Sequence, residues 1–105
     1  MNVQDKIREQ VTGHQVVLYM KGSPQFPQCG FSSAASQMLK ACGVEDFHSV
    51  DVLQKPDIRQ GIKEYANWPT IPQLYVNGEF VGGSDIMREL YESGELQKLL
   101  TKAPA

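Results

Sequence analysis

The chain has 105 residues, 41% hydrophobic and 21% charged, with ten basic side chains against twelve acidic ones and a formal charge of -2. That length supports one core and one domain over residues 1–105, and so balanced a charge gives no electrostatic footprint for nucleic acid. No apolar run approaches the ~20 residues of a membrane span and MNVQDKIREQ lacks the features of a signal peptide, so a cytoplasmic protein with neither nucleic-acid nor membrane partners is expected.

Val3, Ile7 and Val11 lie four apart and predict a first helix ended by Gly13; VVLYM, Val16 to Met20, then reads as a short buried strand. KGSPQFPQ, with two prolines and a glycine, is loop and delivers the chain to Cys29. Phe31, Ala34, Ala35, Met38 and Cys42 recur at three and four, which predicts a helix beginning at or just after Cys29 and capped at its carboxyl end by Gly43. FHSVDV, Phe47 to Val52, is a second strand, parallel to the first because a helical crossover joins them. Asp57 to Tyr65 carries Ile58, Ile62 and Tyr65 on one side and predicts a helix, at a cost of about 1 kcal/mol for its internal Gly61. QLYV, Asn77-Gly78 and EFV form a hairpin, since both turn residues tolerate positive φ. Ser84 or Asp85 is the expected amino-terminal cap of a helix carrying Ile86, Leu90 and Tyr91, and Gly94 separates it from a tail helix around Leu96 to Leu100. The order predicts an α/β, thioredoxin-like fold: a four-stranded mixed sheet flanked by helices.

Cysteine is the informative residue type. Cys29 falls where the unpaired amides and partial positive charge of a helix start favour a thiolate. Cys42, one turn beyond Met38 on the apolar side, reads as packing. The two are 13 residues apart; on one helix that is ~20 Å, whereas a disulfide spans less than ~7 Å. Ser32 stands where a CxxC motif would have its second thiol, so an intramolecular disulfide at Cys29 is excluded. Pro72 sits just before a strand, where proline is tolerated, and its isomer is open from sequence; in a thioredoxin-like fold a cis Pro72 would face Cys29 and leave the Ile71 backbone free for strand addition by an extended peptide. Gly82 and Gly83 lead into a helix whose first amides, at Ser84 and Asp85, can hold a carboxylate. Lys21 and Arg59 are ordinary solvated charges unless the fold brings them near Cys29. His14 and His48 show no metal-ligand spacing with either cysteine and fit surface or strand-edge positions, and Trp68 fits a packing anchor.

Lys21, the CGFS of Cys29 to Ser32, the GSPQFPQ loop, WPTIPQLYVNGEFVGG and the pair Ser84–Asp85 agree in order and spacing with one family, and from about Ile7 to Leu100 the chain closely resembles the monothiol glutaredoxins of the CGFS class. The resemblance implies a glutathione site in which Lys21 and Arg59 bind the glycine carboxylate, Ile71 pairs through its backbone with the tripeptide, and the Ser84–Asp85 region holds the γ-glutamyl end. It also implies a [2Fe-2S] cluster bridging a homodimer, with Cys29 as metal ligand, and BolA-like and apo iron-sulfur recipient proteins as partners. Many relatives carry cysteine where this chain has Ser84, which puts in doubt any resolving reaction within one chain. Ligand counting agrees with a bridged cluster: such clusters usually take four thiolates, one chain offers Cys29 alone, and two bound glutathione molecules can complete the set. A carrier in iron-sulfur cluster transfer or assembly is the leading expectation. The alternative is a glutathione-dependent thiol-disulfide oxidoreductase, in which catalytic Cys29 removes glutathione from proteins by a monothiol route.

Overall fold

The computed structural model describes residues 2–101. Within them lie α1 (Val3–Gly13), β1 (Val16–Met20), α2 (Gly30–Ala41), β2 (His48–Asp51), α3 (Pro56–Ala66), β3 (Gln73–Val76), β4 (Glu79–Gly82), α4 (Ser84–Glu92) and α5 (Glu95–Thr101). The sheet order is β2-β1-β3-β4. β1 and β2 are parallel, with Tyr19 beside Val50, while β3 runs antiparallel to β1, with Tyr19 beside Gln73. The Asn77-Gly78 turn, with φ of 54° and 82°, closes the β3–β4 hairpin. This is the thioredoxin-like arrangement expected from the sequence.

Strand alternation divides the interior into two layers. Val16, Leu18 and Met20 of β1 point to one face, where they meet Ala35, Met38 and Leu39 of α2, Met87 of α4 and Leu96 and Leu100 of α5. Val17 and Tyr19 point to the other, against Ile7 and Val11 of α1 and Ile58 and Ile62 of α3. Gly61, a weak point by propensity, is where α1 and α3 approach: a Cβ there would lie 2.9 Å from Val3 Cγ1, and Gln4 Nε2 donates to the Gly61 carbonyl at 2.9 Å. The propensity cost is offset by the close helix contact that only glycine permits.

Several expectations change in detail. Strand β2 is His48–Asp51, shorter than Phe47 to Val52 at both ends. The amino-terminal cap of α4 is Gly83, not Ser84 or Asp85, and Ser84 is already the first helical residue. The backbone leaves β4 so close to the 68–72 segment that the cap position has no room for a side chain: a Cβ on Gly83 would sit 3.1 Å from Trp68 Nε1 and 3.3 Å from the Pro72 carbonyl oxygen. Phe31 is not part of the buried face of α2 but 62% exposed, on the outer side of a first turn whose inner side carries the fully buried Ser32. Cys42 is buried against the α2–α4 layer, the packing role expected of it. His14 and His48 stack at 3.9 Å between ring centroids, with His14 exposed and His48 on edge strand β2. Among the described residues no group of three or more His, Cys, Asp or Glu side chains is arranged to hold a metal ion, and no helix is long and apolar enough to cross a membrane.

Leu39 is fully buried and Phe26 is 75% exposed. Leu39→Ala is therefore expected to lower unfolding free energy by about 2–5 kcal/mol, and Phe26→Ala to stay within about 0.5 kcal/mol of the parent, both measured by urea denaturation.

Candidate functional site

The loop between β1 and α2 folds back as a tight hairpin. Gly22 and Pro27 form an isolated antiparallel bridge, Ser23 and Phe26 exchange backbone hydrogen bonds at 3.2 and 3.1 Å, and Gln28 N–H donates to the Lys21 carbonyl at 2.9 Å. Gly22 makes this possible: its φ is +88°, and a Cβ there would fall 2.4 Å from the Phe26 carbonyl oxygen. Asp51 Oδ1 accepts from Gly22 N–H at 2.9 Å and from Leu53 N–H at 3.0 Å, so one carboxylate fastens this loop to the β2–α3 connection. The chain is thereby delivered to Cys29 along a fixed path.

Cys29 is the amino-terminal cap of α2, extended at φ −155° and ψ 136°, and its carbonyl accepts from Ser33 N–H at 2.9 Å. The thiol itself makes no capping hydrogen bond. The electrostatics of the helix start nevertheless favour its ionised form. The Ser32 amide holds the thiol below its ordinary pKa; partial burial opposes this, and the Phe31 amide, the Ser32 hydroxyl and the Lys21 charge add to it. Ser32 is fully buried and its Oγ accepts from Lys21 N–H at 3.0 Å, leaving the hydroxyl proton free to turn toward the sulfur. Burial pushes the Cys42 thiol in the other direction, upward. Cys29 is partly accessible, Cys42 is buried, and neither is in a disulfide.

Beside Cys29 runs an open cleft lined by Phe31 and Ile86, by Trp68, Thr70, Ile71 and Pro72, and by Gly83, Ser84 and Asp85. The β1–β3 register ends at Tyr19–Gln73, so Ile71–Pro72, just before Gln73 in this antiparallel pair, lie toward the end of β1 that leads to Lys21. The Ile71–Pro72 peptide is cis. Neither the N–H nor the C=O of Ile71 has a hydrogen-bond partner among the described residues. Ser84 is buried and Asp85 exposed at the amino terminus of α4, where the free amides and helix dipole suit an anion. Ile71, Ser84 and Asp85 thus share one cleft, and Lys21 and Cys29 share the adjoining strand-to-helix junction. Arg59 stands apart: it is exposed in the first turn of α3, beyond the carboxyl end of β2, and makes no ion pair among the described residues.

Sequence reasoning missed several contributors. Phe31, Thr70 and Ile86 become walls of the cleft only through tertiary placement. Trp68 does pack, tilted against Phe80 at 5.5 Å, but it also lines the cleft, and its buried indole N–H has no partner among the described residues. Ser32 marked a broken CxxC, while its hydroxyl is the link between β1 and α2. A usable signal was present: a hydroxyl three residues after a helix-capping position is well placed to reach the cap.

A family model described as Glutaredoxin matches residues 16–81. A Synechocystis monothiol glutaredoxin described as ycf64-like is 57% identical over 107 residues, spanning 100% of this chain and 99% of the relative. Glutaredoxin 4 of Escherichia coli K12 is 55% identical over 101 residues, spanning 96% of this chain and 87% of the relative. The solution structure of reduced poplar apo GrxS14 is similar with a TM-score of 0.83 and 51% identity, covering 96% of this chain and 92% of that one.

Because the folded site favours the thiolate, alkylation of Cys29 by iodoacetamide should rise with pH through a midpoint below the free-thiol value of about 8.5. Ser32→Ala should move that midpoint upward and slow alkylation at neutral pH, with the sites read by mass spectrometry, while Cys42 stays unmodified until the protein unfolds. An unchanged midpoint in Ser32→Ala would show that the hydroxyl contributes nothing to the thiol.

Proposed function

The chain belongs to the glutaredoxin family, among its monothiol members, and on that premise we propose that it binds glutathione and carries a [2Fe-2S] cluster shared between two copies of itself. The observation that carries this reading is a count of sulfur. One partly exposed thiol with a lowered pKa stands beside an open cleft, and the second is sealed in the core. Four thiolates are the usual ligand set of such a cluster, and the described residues contain no metal-binding group of their own. The donor set fits a cluster only as a shared one: Cys29 from each of two chains and the cysteinyl sulfur of a glutathione molecule beside each. The cluster is then cargo. Held partly by small molecules, it is open to exchange with apo iron-sulfur proteins, and BolA-like proteins fit as partners in the cytoplasm.

In this reading the cleft takes the tripeptide lengthwise. The unpaired N–H and C=O of Ile71 offer strand-like pairing to its main chain. The amides opening α4 at Ser84 and Asp85 receive the γ-glutamyl carboxylate, and the Asp85 carboxylate suits the adjacent ammonium. Lys21 and Arg59 receive the glycine carboxylate, Lys21 from the junction itself and Arg59 by reaching across from α3.

A second reading is favoured by the same lowered thiol pKa. Cys29 thiolate attacks the glutathione sulfur of a glutathionylated protein, the protein thiolate leaves, and a second glutathione thiolate resolves the mixed disulfide to give oxidised glutathione and free Cys29. Serine at position 84 leaves no neighbouring thiol to resolve it within the chain.

Anaerobic reconstitution with iron, sulfide and glutathione separates the two. A coloured dimer is expected with the unaltered protein and with Cys42→Ser, and none with Cys29→Ser or without glutathione. Formation of the cluster in a single chain, or without glutathione, would overturn the carrier; colourless monomer with rapid turnover of a glutathionylated peptide would establish the enzyme in its place.

A further inference from the structure

Gln73 is a polar residue with no exposed surface at the head of β3. Its side-chain nitrogen donates to the Trp68 carbonyl at 3.1 Å and to the Thr70 carbonyl at 3.2 Å, and its Oε1 accepts from the Tyr75 hydroxyl at 2.9 Å. Two carbonyls and a phenol meet one primary amide, and that fixes the amide's orientation, since only its NH2 end can serve the carbonyls. No other side chain substitutes without loss. Glutamate would turn an oxygen toward two carbonyl oxygens, methionine would leave two part-buried carbonyls and a buried phenol without this partner, and asparagine is shorter by a methylene.

The Thr70 bond has a directional consequence. The peptide from Thr70 to Ile71 is trans, the neighbouring Ile71–Pro72 bond being the only cis peptide among the described residues. In a planar trans peptide the C=O and N–H point in opposite directions. The Thr70 carbonyl is held inward on the Gln73 amide, so the Ile71 N–H of the same unit is turned outward, away from the core and toward the cleft. Pro72 has no N–H, which leaves Ile71 as the donor at this point of the wall. Tyr75, meanwhile, is held by Tyr19 edge-on at 5.6 Å and by Phe80 at 5.4 Å, so the anchor behind Gln73 is itself fixed.

We propose that Gln73 is a positioning residue for glutathione: through the Thr70 carbonyl it aims the Ile71 N–H at the ligand's main chain. This rests on the glutathione reading above and adds to it a residue that never touches the ligand. Such a residue acts on affinity through orientation, and misplacing a donor by a fraction of an ångström to an ångström is costly.

The test is titration of reduced glutathione into isotope-labelled protein, following the Ile71 amide by NMR and the emission of Trp68, the sole tryptophan. In the unaltered protein the Ile71 amide should shift on binding. Gln73→Met should weaken binding by about tenfold or more, abolish that shift and change Trp68 emission, while leaving the pH midpoint of Cys29 alkylation in place. Tyr75→Phe keeps the ring and removes one of the three bonds to the amide; it should weaken binding in the same direction by less. Should Gln73→Met fail to fold, Tyr75→Phe decides alone. Parent affinity and a retained Ile71 shift in the folded variants would overturn the proposal, whatever happens to their urea midpoints. Failure of the unaltered protein to bind glutathione would remove the reading beneath it and the proposal together.

Discussion

The hydrogen bond from Lys21 N–H to the buried Ser32 Oγ is the joint on which the thiol's surroundings depend. It ties the first residue past β1 to the first turn of α2, and so adds a direct link between two elements that the hairpin loop joins along the chain. Loss of this bond would cost about 0.5–1.5 kcal/mol, so the helix start is held where the strand ends. The same hydroxyl lies beside the sulfur. Ser32 therefore bears on both the position and the ionisation of the thiol, its amide leading in the second and its hydroxyl adding to it.

The opposite wall of the cleft is built on the same plan from different parts. A buried side chain, Gln73, holds backbone carbonyls of an irregular segment that has no ladder of its own. Asp51 does the equivalent for the β1–α2 loop, by taking two amides from two loops. Each irregular stretch around the site is thus fixed by one polar side chain from the adjacent sheet or helix, and buried backbone groups that would otherwise be unsatisfied are paired. Aromatic packing of Trp68, Phe80, Tyr75 and Tyr65 backs the arrangement from the α3 side. Such a site is preformed, which lowers the ordering cost of binding any flexible ligand in the cleft.

The sequence was informative where local chemistry decides. Four-residue spacing marked Ile7 and Val11, Asn77-Gly78 could serve little other than a hairpin, and a cysteine between a proline-rich loop and a periodic run fell at the helix cap. It was silent where partners come from afar. Phe31 carries helix periodicity, yet in the first turn of α2 it is Ser32 that faces inward and Phe31 that is exposed. Ser84 and Asp85 have strong capping chemistry, but crowding by Trp68 and Pro72 gives the cap to Gly83. Gln73 reads as a polar residue opening a strand; only the return of the 68–72 segment beneath it makes it a clamp. The placement of Lys21 beside Cys29 follows from topology, whereas the position of Arg59, exposed on α3 and apart from the cleft, does not follow from spacing at all.

The sealing of Cys42 within the α2–α4 layer has a kinetic meaning. With one reachable cysteine sulfur per molecule, any disulfide the folded protein forms must be with another molecule: exchange with a copy already held in a disulfide is second order in protein, while exchange with a small disulfide, which releases one small thiol, is first order in each partner. Diluting the protein at a constant level of small disulfide then shifts the outcome from linked pairs toward mixed species, and the relative abundance of the two partners, rather than any internal geometry, sets which form accumulates.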